Sequence, residues 1–314
     1  MRQKVKLKTL ILGAACLLFL SSCSGNSAAT ESPAAASKSV SSGVNSETNG
    51  LWTNLTWENN GDKMGDNDGP AYVVYSKEGY NKASQVIKVS RMKVNLVRKS
   101  DGKSLNGYAF LGMDVYNGKE NQWVNCIDAG LGFIGSTGKC HACVNRYSVP
   151  PDEDQWWESS AELDMTHDYK LVLDASQKDE QVTLTIFDVT EKNRQVDSKT
   201  FTLYYAKKDG GNLAVYQDYA MDFPEDVRLD TKKVPSTDWE QITLYNTDED
   251  LYMKNIVGSD LCLYNDSGSH PWTADRTADR YMWPDKTSSI PYVTTTVTQV
   301  KKDSETKIDL NMNR

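Results

Sequence analysis

Tyr108-Ala-Phe-Leu-Gly-Met-Asp-Val-Tyr116 alternates without a break. Ala109, Leu111, Met113 and Val115 fall on one side of an extended chain; Tyr108, Phe110, Gly112, Asp114 and Tyr116 fall on the other. A helix would mix the two sets, whereas a period of two keeps them apart. The stretch is therefore predicted to be a β-strand with one face on an apolar core. The same texture recurs outward from it. Runs rich in Val, Ile, Thr and Tyr occupy 71–75, 85–98, 107–116, 122–134, 169–173, 181–189, 200–205, 212–221, 241–245, 252–256, 291–300 and 306–310. Clusters of Gly, Asn, Asp and Pro separate them. No amphipathic helix longer than about three turns stands out. The pattern predicts an all-β fold: one antiparallel two-sheet jelly-roll or β-sandwich domain over 50–314, a size that all-β units reach.

The chain has 314 residues, with 35 Lys and Arg against 43 Asp and Glu, a formal net charge of −8. That balance excludes an electrostatic nucleic-acid binder, which needs a basic surface to displace phosphate counterions. Eight Trp and 16 Tyr against six Phe favour amphipathic rings that keep one polar atom in contact with a partner or water.

Residues 1–22 carry an address rather than a fold. Arg2, Lys4, Lys6 and Lys8 precede the apolar run 9–20, which is too short to span a bilayer comfortably. The run ends in Leu20-Ser-Ser-Cys23, which resembles the lipobox of bacterial lipoproteins. The resemblance implies lipidation of the Cys23 sulfur, removal of residues 1–22 and a lipid-anchored place on the extracytoplasmic face of the cell membrane. Membrane contact would run through the lipid alone, each buried CH₂ contributing about 0.8 kcal/mol. Residues 23–49 are Ser- and Ala-rich with almost no large apolar side chain, so they read as a disordered stalk.

Three further segments carry a second resemblance: Tyr169-Lys-Leu-Val-Leu-Asp174, Gln181-Val-Thr-Leu-Thr-Ile-Phe-Asp188, and Ser198 to Tyr205. Together they resemble the middle of concanavalin A-like lectin/glucanase sandwiches. What this implies is a curved sheet whose concave face holds glycan; it carries no catalytic residue across by itself. Glu162-Leu-Asp164-Met-Thr-His167 partly resembles the E-x-D-x-x-E signature of laminarinase-like glucanases in that group. Here His167 replaces the last Glu, which removes the expected proton donor.

Beyond Cys16 and Cys23, four cysteines remain: Cys126, Cys140, Cys143 and Cys262. An even number in an extracytoplasmic chain predicts disulfides, with three connectivities open. The alternative is zinc held by Cys126, Cys140, His141 and Cys143. Cys140-His-Ala-Cys143 is expected in a loop after the 122–134 strand.

Candidate ligand-binding residues fall in two places. Tyr108, Asp114 and Tyr116 share a strand face, and Trp123 and Asn125 are expected to share a face of the next strand. Tyr216 and Asp218 belong to the 212–221 strand. A carboxylate flanked by rings suits a sugar, whose C–H faces pack on aromatics while Asp and Asn bond hydroxyls. Two aromatic loops add Trp156, Trp157 and Trp272, the last followed by Arg276, Arg280, Tyr281 and Trp283. Asp62, Asp66 and Asp68, clustered with Asn67 and Gly69, form a candidate structural Ca²⁺ loop that departs from the EF-hand register. The basic run from Lys88 to Lys103 reads as a strand blunted by charge.

These observations point to a surface-anchored protein that binds carbohydrate through its sheet face and loops. A glycoside hydrolase or polysaccharide lyase of the same fold is the alternative. It would draw carboxylates from Asp114, Asp128, Glu162, Asp164 and Asp218, or use a Tyr base such as Tyr116 or Tyr216. A structural envelope or adhesion protein is the third reading. The sequence leaves the oligomeric state open.

Overall fold

The structure is a computed structural model that describes residues 68–117, 122–222, 250–283, 293–301 and 305–313. The lipobox with Cys23, the stalk, Asp62, Asp66 and the expected 241–245 strand lie outside the described residues. Sixteen strands make up about two thirds of what is described: β1 (Asp68–Ser76), β2 (Lys82–Ile87), β3 (Lys93–Asn95), β4 (Asn106–Asn117), β5 (Gln122–Ile134), β6 (Lys139–Arg146), β7 (Trp156–Leu163), β8 (Tyr169–Asp174), β9 (Gln181–Asp188), β10 (Arg194–Thr202), β11 (Leu213–Asp222), β12 (Asp250–Asn265), β13 (Gly268–Pro271), β14 (Thr277–Trp283), β15 (Val293–Lys301) and β16 (Glu305–Asn313). The helical turns described are two single 3-10 turns, Val89–Arg91 and Ala274–Arg276.

The strands form two antiparallel sheets. A seven-stranded sheet runs β14-β1-β11-β4-β5-β6-β7, and a nine-stranded sheet runs β10-β9-β8-β2-β12-β16-β15, with β3 and β13 also paired to β12. This is the expected all-β architecture of two antiparallel sheets. The segments that carried the resemblance are β8, β9 and β10, three consecutive strands of the nine-stranded sheet.

Alternation places the core. Ala109, Leu111, Met113 and Val115 of β4 meet Leu171 and Leu173 of β8 and Leu184 and Ile186 of β9 in one buried cluster. Each fully buried Leu or Ile stabilises by about 1.5–3 kcal/mol relative to an exposed one. One polar link crosses this core. Tyr219 of β11 donates to Gln85 Oε1 of β2 at 2.8 Å, and Gln85 Nε2 donates to the Phe110 carbonyl at 3.1 Å. The link satisfies side-chain groups that would otherwise be costly to bury.

Three sequence expectations need correction. The 85–98 run is not one strand: it breaks at the 3-10 turn, where Ser90 bonds Asp168 and the chain turns toward β3. Residues 140–143, expected in a loop, lie within the interior strand β6.

The third correction concerns disulfides. Cys126, Cys140, Cys143 and Cys262 are free thiols. The strand geometry explains why. Cys140 and Cys143 are three apart on β6, so their side chains leave opposite faces; Cys140 joins the main core and Cys143 a separate cluster. Cys143 opposes Gly130, four residues along β5 from Cys126, roughly 13 Å at about 3.3 Å per residue. Cys262 sits in the other sheet. The same facing breaks the zinc alternative, because Cys140 cannot converge with His141 and Cys143 on one ion. Among the described residues no group of three or more His, Cys, Asp or Glu is placed to hold a metal. Asp68 opens β1 in register with Asp222.

Candidate functional site

The seven-stranded sheet has a second face, turned away from the core. Register across its strands assembles that face. Tyr216 of β11 stands opposite Gly112 of β4, and Gly112 opposite Asp128 of β5. One step along, Ala214, Asp114 and Cys126 form the next row. Asp218 and Phe110 belong to the row on the other side. Two ring clusters occupy this face, separate from the core. One gathers Tyr116 and Ala214 with Tyr75 and Trp123. The other gathers Tyr108, Phe110, Ile134 and Cys143 with Trp156.

Asp114 is the centre of the first cluster. Its Oδ2 accepts hydrogen bonds from the Tyr75 hydroxyl at 3.0 Å and the Tyr116 hydroxyl at 3.4 Å, and its Oδ1 accepts one from Trp123 Nε1 at 3.0 Å. Burial pushes the Asp114 carboxyl up to about 7; these bonds pull it down, and the carboxylate of Asp128 adds to the rise. Burial also raises the Tyr75 and Tyr216 hydroxyls well above their ordinary value, so both remain neutral donors.

Asp128 is the second carboxylate. Tyr216 donates to its Oδ1, and the phenol crosses Gly112 to reach it. A Cβ on Gly112 would lie 2.1 Å from two ring carbons of Tyr216, so only glycine leaves room. Tyr75 packs on Tyr216 with ring centroids 5.0 Å apart. Two Asp residues and four aromatic side chains are thus tied into one constellation across β1, β11, β4 and β5.

The second cluster is more apolar. Tyr108 stacks on Phe110 at 5.0 Å and meets Trp156 edge-on at 6.0 Å. The Tyr108 hydroxyl donates to Asp222 at 3.2 Å. His141 and Glu158 stand near this end, 3.8 Å apart, with His141 Nδ1 facing the carbonyls of Ser159 and Ala161. Tyr75, Trp123, Trp156 and Asp218 are half-buried on this face, whereas Tyr108, Tyr116 and Tyr216 are buried by their neighbours. The half-buried groups are the ones that a ligand on the face meets first.

The structure therefore brings together Tyr108, Asp114, Tyr116, Trp123, Trp156, Tyr216 and Asp218. It does not bring in three others. Asn125 was expected beside Trp123, but the β4–β5 register shifts between Val115 and Tyr116. This bulge turns Asn125 to the core side opposite Val115, where it bonds the Tyr204 carbonyl and the Cys126 amide. Trp157 points to the core and meets Phe201 edge-on at 5.5 Å. Trp272 is 4% exposed and belongs to the core.

The Glu162-x-Asp164 pattern does not form a site. Glu162 is exposed on the edge strand β7 and pairs with Lys139. Asp164 lies in the following turn, where its Oδ1 accepts from the Thr166 amide and hydroxyl. His167 turns away to bond Asp188 at 2.7 Å. Tyr75 and Gly112 were not singled out from the sequence. Tyr75 sits at the end of an apolar run, and its role appears only when β1 is seen to lie beside β11.

No family model matches the chain, and no curated protein matches it. Several solved structures are similar to it, three of them as follows. One is SCP-B, a member of the Eqolisin family of peptidases in complex with the tripeptide Ala-Ile-His, at 11% identity over 77% of this chain and 97% of that chain, TM-score 0.37. Another is a functionally unknown protein from Saccharomyces cerevisiae, at 11% identity over 48% and 73% of the two chains, TM-score 0.26. The third is a Bacteroides ovatus mixed-linkage glucan GH16 protein in complex with a G4G4G3G product, at 13% identity over 55% and 75%, TM-score 0.28. At these identities and TM-scores the fold and the chemistry are read from the chain's own residues.

Proposed function

We propose that the protein binds carbohydrate on the outer face of its seven-stranded sheet, as a lipid-anchored protein of the bacterial cell surface. The observation that carries this reading is the Asp114–Asp128 constellation, two carboxylates held among Tyr75, Tyr116, Trp123 and Tyr216 on a single sheet face. Ring faces suit the C–H surface of a sugar, and carboxylates with fixed partners suit its hydroxyls. Trp123 and Trp156, half-buried at the two ends, are the rings placed to stack on a bound chain. Support for the anchor is the Leu20-Ser-Ser-Cys23 sequence with its basic, apolar leader.

The test is a glycan array on the full-length chain, followed by titration of the best glycan. Trp123→Ala is expected to weaken binding at least tenfold, about 1.4 kcal/mol. Cys23→Ala is expected to leave glycan binding unchanged while moving the protein out of the membrane fraction. Silence on the array, or full binding by Trp123→Ala, would overturn the carbohydrate reading.

One observation favours a second reading. Asp114 and Asp128 lie two residues out of register on adjacent strands, a diagonal spacing of roughly 7–8 Å. Asp114 is held at about 7. A carboxyl raised to near neutrality beside a second carboxyl supplies the parts of an acid–base pair for glycosidic cleavage. Reducing-sugar release by the wild type, absent in Asp114→Asn and Asp128→Asn, separates this hydrolase from the binding protein.

A further inference from the structure

The nine-stranded sheet also has an outer face, and its side chains form a trough. Across β9, β8 and β2 one row of the register is Thr185, Val172 and Ser84, all short. To one side of this floor stand Phe187 and Lys170; to the other stand Tyr264, Lys82 and Asp174. The depression is about 390 Å³.

The cations of the two walls are not equivalent. Lys82 pairs with Asp174 at 2.8 Å and lies 5.2 Å from the Tyr264 ring centroid. Lys170 stands between Phe187 and Val86 in the register, and among the described residues no carboxylate lies within ion-pair distance of its ammonium. Among the described residues the trough thus carries one cation with no carboxylate partner, on a chain whose formal net charge is −8. Beside it, Thr183 and Thr185 offer hydroxyls, already linked to Thr200 at 2.8 Å and Ser198 at 3.1 Å on β10. A ring at each side, a row of hydroxyls and a lone ammonium match a sugar chain that bears a carboxylate.

The geometry points to a second saccharide site here, separate from the seven-stranded sheet and selective for uronate-containing oligosaccharides. The uronate carboxylate meets Lys170, with adjacent sugar faces on Phe187 and Tyr264. The partly exposed ammonium makes recognition sensitive to salt. Short side chains on the floor let the chain run across the strands.

The test uses the full-length protein and a tetrasaccharide of galacturonic acid, with its fully methyl-esterified form as the neutral counterpart. Titration calorimetry in low salt is expected to show binding of the acid form and at least tenfold weaker binding of the ester. Lys170→Met is expected to lower affinity for the acid form to that of the ester, with Lys170→Arg retaining most of it. Phe187→Ala is expected to weaken both forms. Lys139→Met, on the opposite sheet and outside both ring clusters, is expected to change neither. Equal affinity for acid and ester, wild-type affinity in Lys170→Met, or loss of binding in Lys139→Met overturns the assignment. So does the absence of any binding, whatever the outcome on the seven-stranded sheet. Displacement of the tetrasaccharide by an acidic peptide of equal charge, at equal concentration, overturns its selectivity for sugar.

Discussion

Asp114→Asn is expected to remove a pH dependence that the wild type carries. Asp114 has an ordinary carboxyl value of 3.8, raised by burial in the fold to about 7. The native state therefore holds this proton where the unfolded chain has released it. The stabilisation is fully present below about pH 4, falls as pH rises, and is gone above about pH 8. Each unit corresponds to about 1.36 kcal/mol, so the whole span amounts to roughly 4 kcal/mol. Two other influences act nearby in pH. Asp174 and Asp188 are lowered by Lys82 and His167 despite some burial, and they add stability as pH rises through the ordinary carboxyl range, complete by about pH 5. His167 is raised by its bond to Asp188 and loses its contribution with the same sign as Asp114. The informative quantity is thus the difference between wild type and Asp114→Asn, which cancels both. Measured by urea denaturation, wild type should lose about 2–3 kcal/mol relative to Asp114→Asn between pH 5 and pH 8. Parallel curves would show that Asp114 titrates as an ordinary surface carboxyl and that the three donors do not enclose it.

Much of this architecture was visible beforehand, for a physical reason. β4 has an apolar set against the core and a ring-and-carboxylate set on the other face, so its period of two is sharp. β8 and β9 alternate buried and half-buried residues without exception, so their period of two shows in the sequence. β6 escaped because both of its faces are covered: Cys140, Ala142 and Val144 on one side, His141, Cys143 and Asn145 on the other. Burial on both faces removes the polar contrast, and short side chains removed the β-branched signal. Asn125 escaped differently. A one-residue bulge reverses the facing of everything on one side of it, and nothing in Trp-Val-Asn announces the extra residue. The Cys-x-x-Cys spacing misled because it suggests pairing in a loop or turn but separation on a strand. Among the candidate residues, Tyr108, Asp114, Tyr116, Tyr216 and Asp218 share one sheet face, whereas Trp157 and Trp272 pack on the core, so tryptophan alone does not mark an exposed ring.

Gly112 decides whether the site exists, and Gly112→Ala tests it. The Tyr216 ring lies over this residue on its way to Asp128, and an added Cβ would stand 2.1 Å from Cε2 and Cζ, far inside contact distance. The backbone there is held on both sides, by β11 and by β5, so the ring rather than the strand must move. Moving it breaks the bond to Asp128, opens the packing against Tyr75 and unsettles the donor that Tyr75 provides to Asp114. Overpacking a tight site costs about 1–3 kcal/mol, and stranding a buried acceptor about 1–3 kcal/mol more. The expected loss is therefore about 2–6 kcal/mol in urea denaturation, with glycan affinity falling in the fraction that remains folded. Tyr216→Leu is expected to cost less and to leave space for the added methyl. The double variant Gly112→Ala/Tyr216→Leu should then be more stable than the sum of the two single losses predicts, by at least about 1 kcal/mol. Additive losses would mean that the alanine clashes with backbone instead. In that case the phenol does not bridge the strands, and the constellation of Asp114 and Asp128 loses the contact that joins its halves.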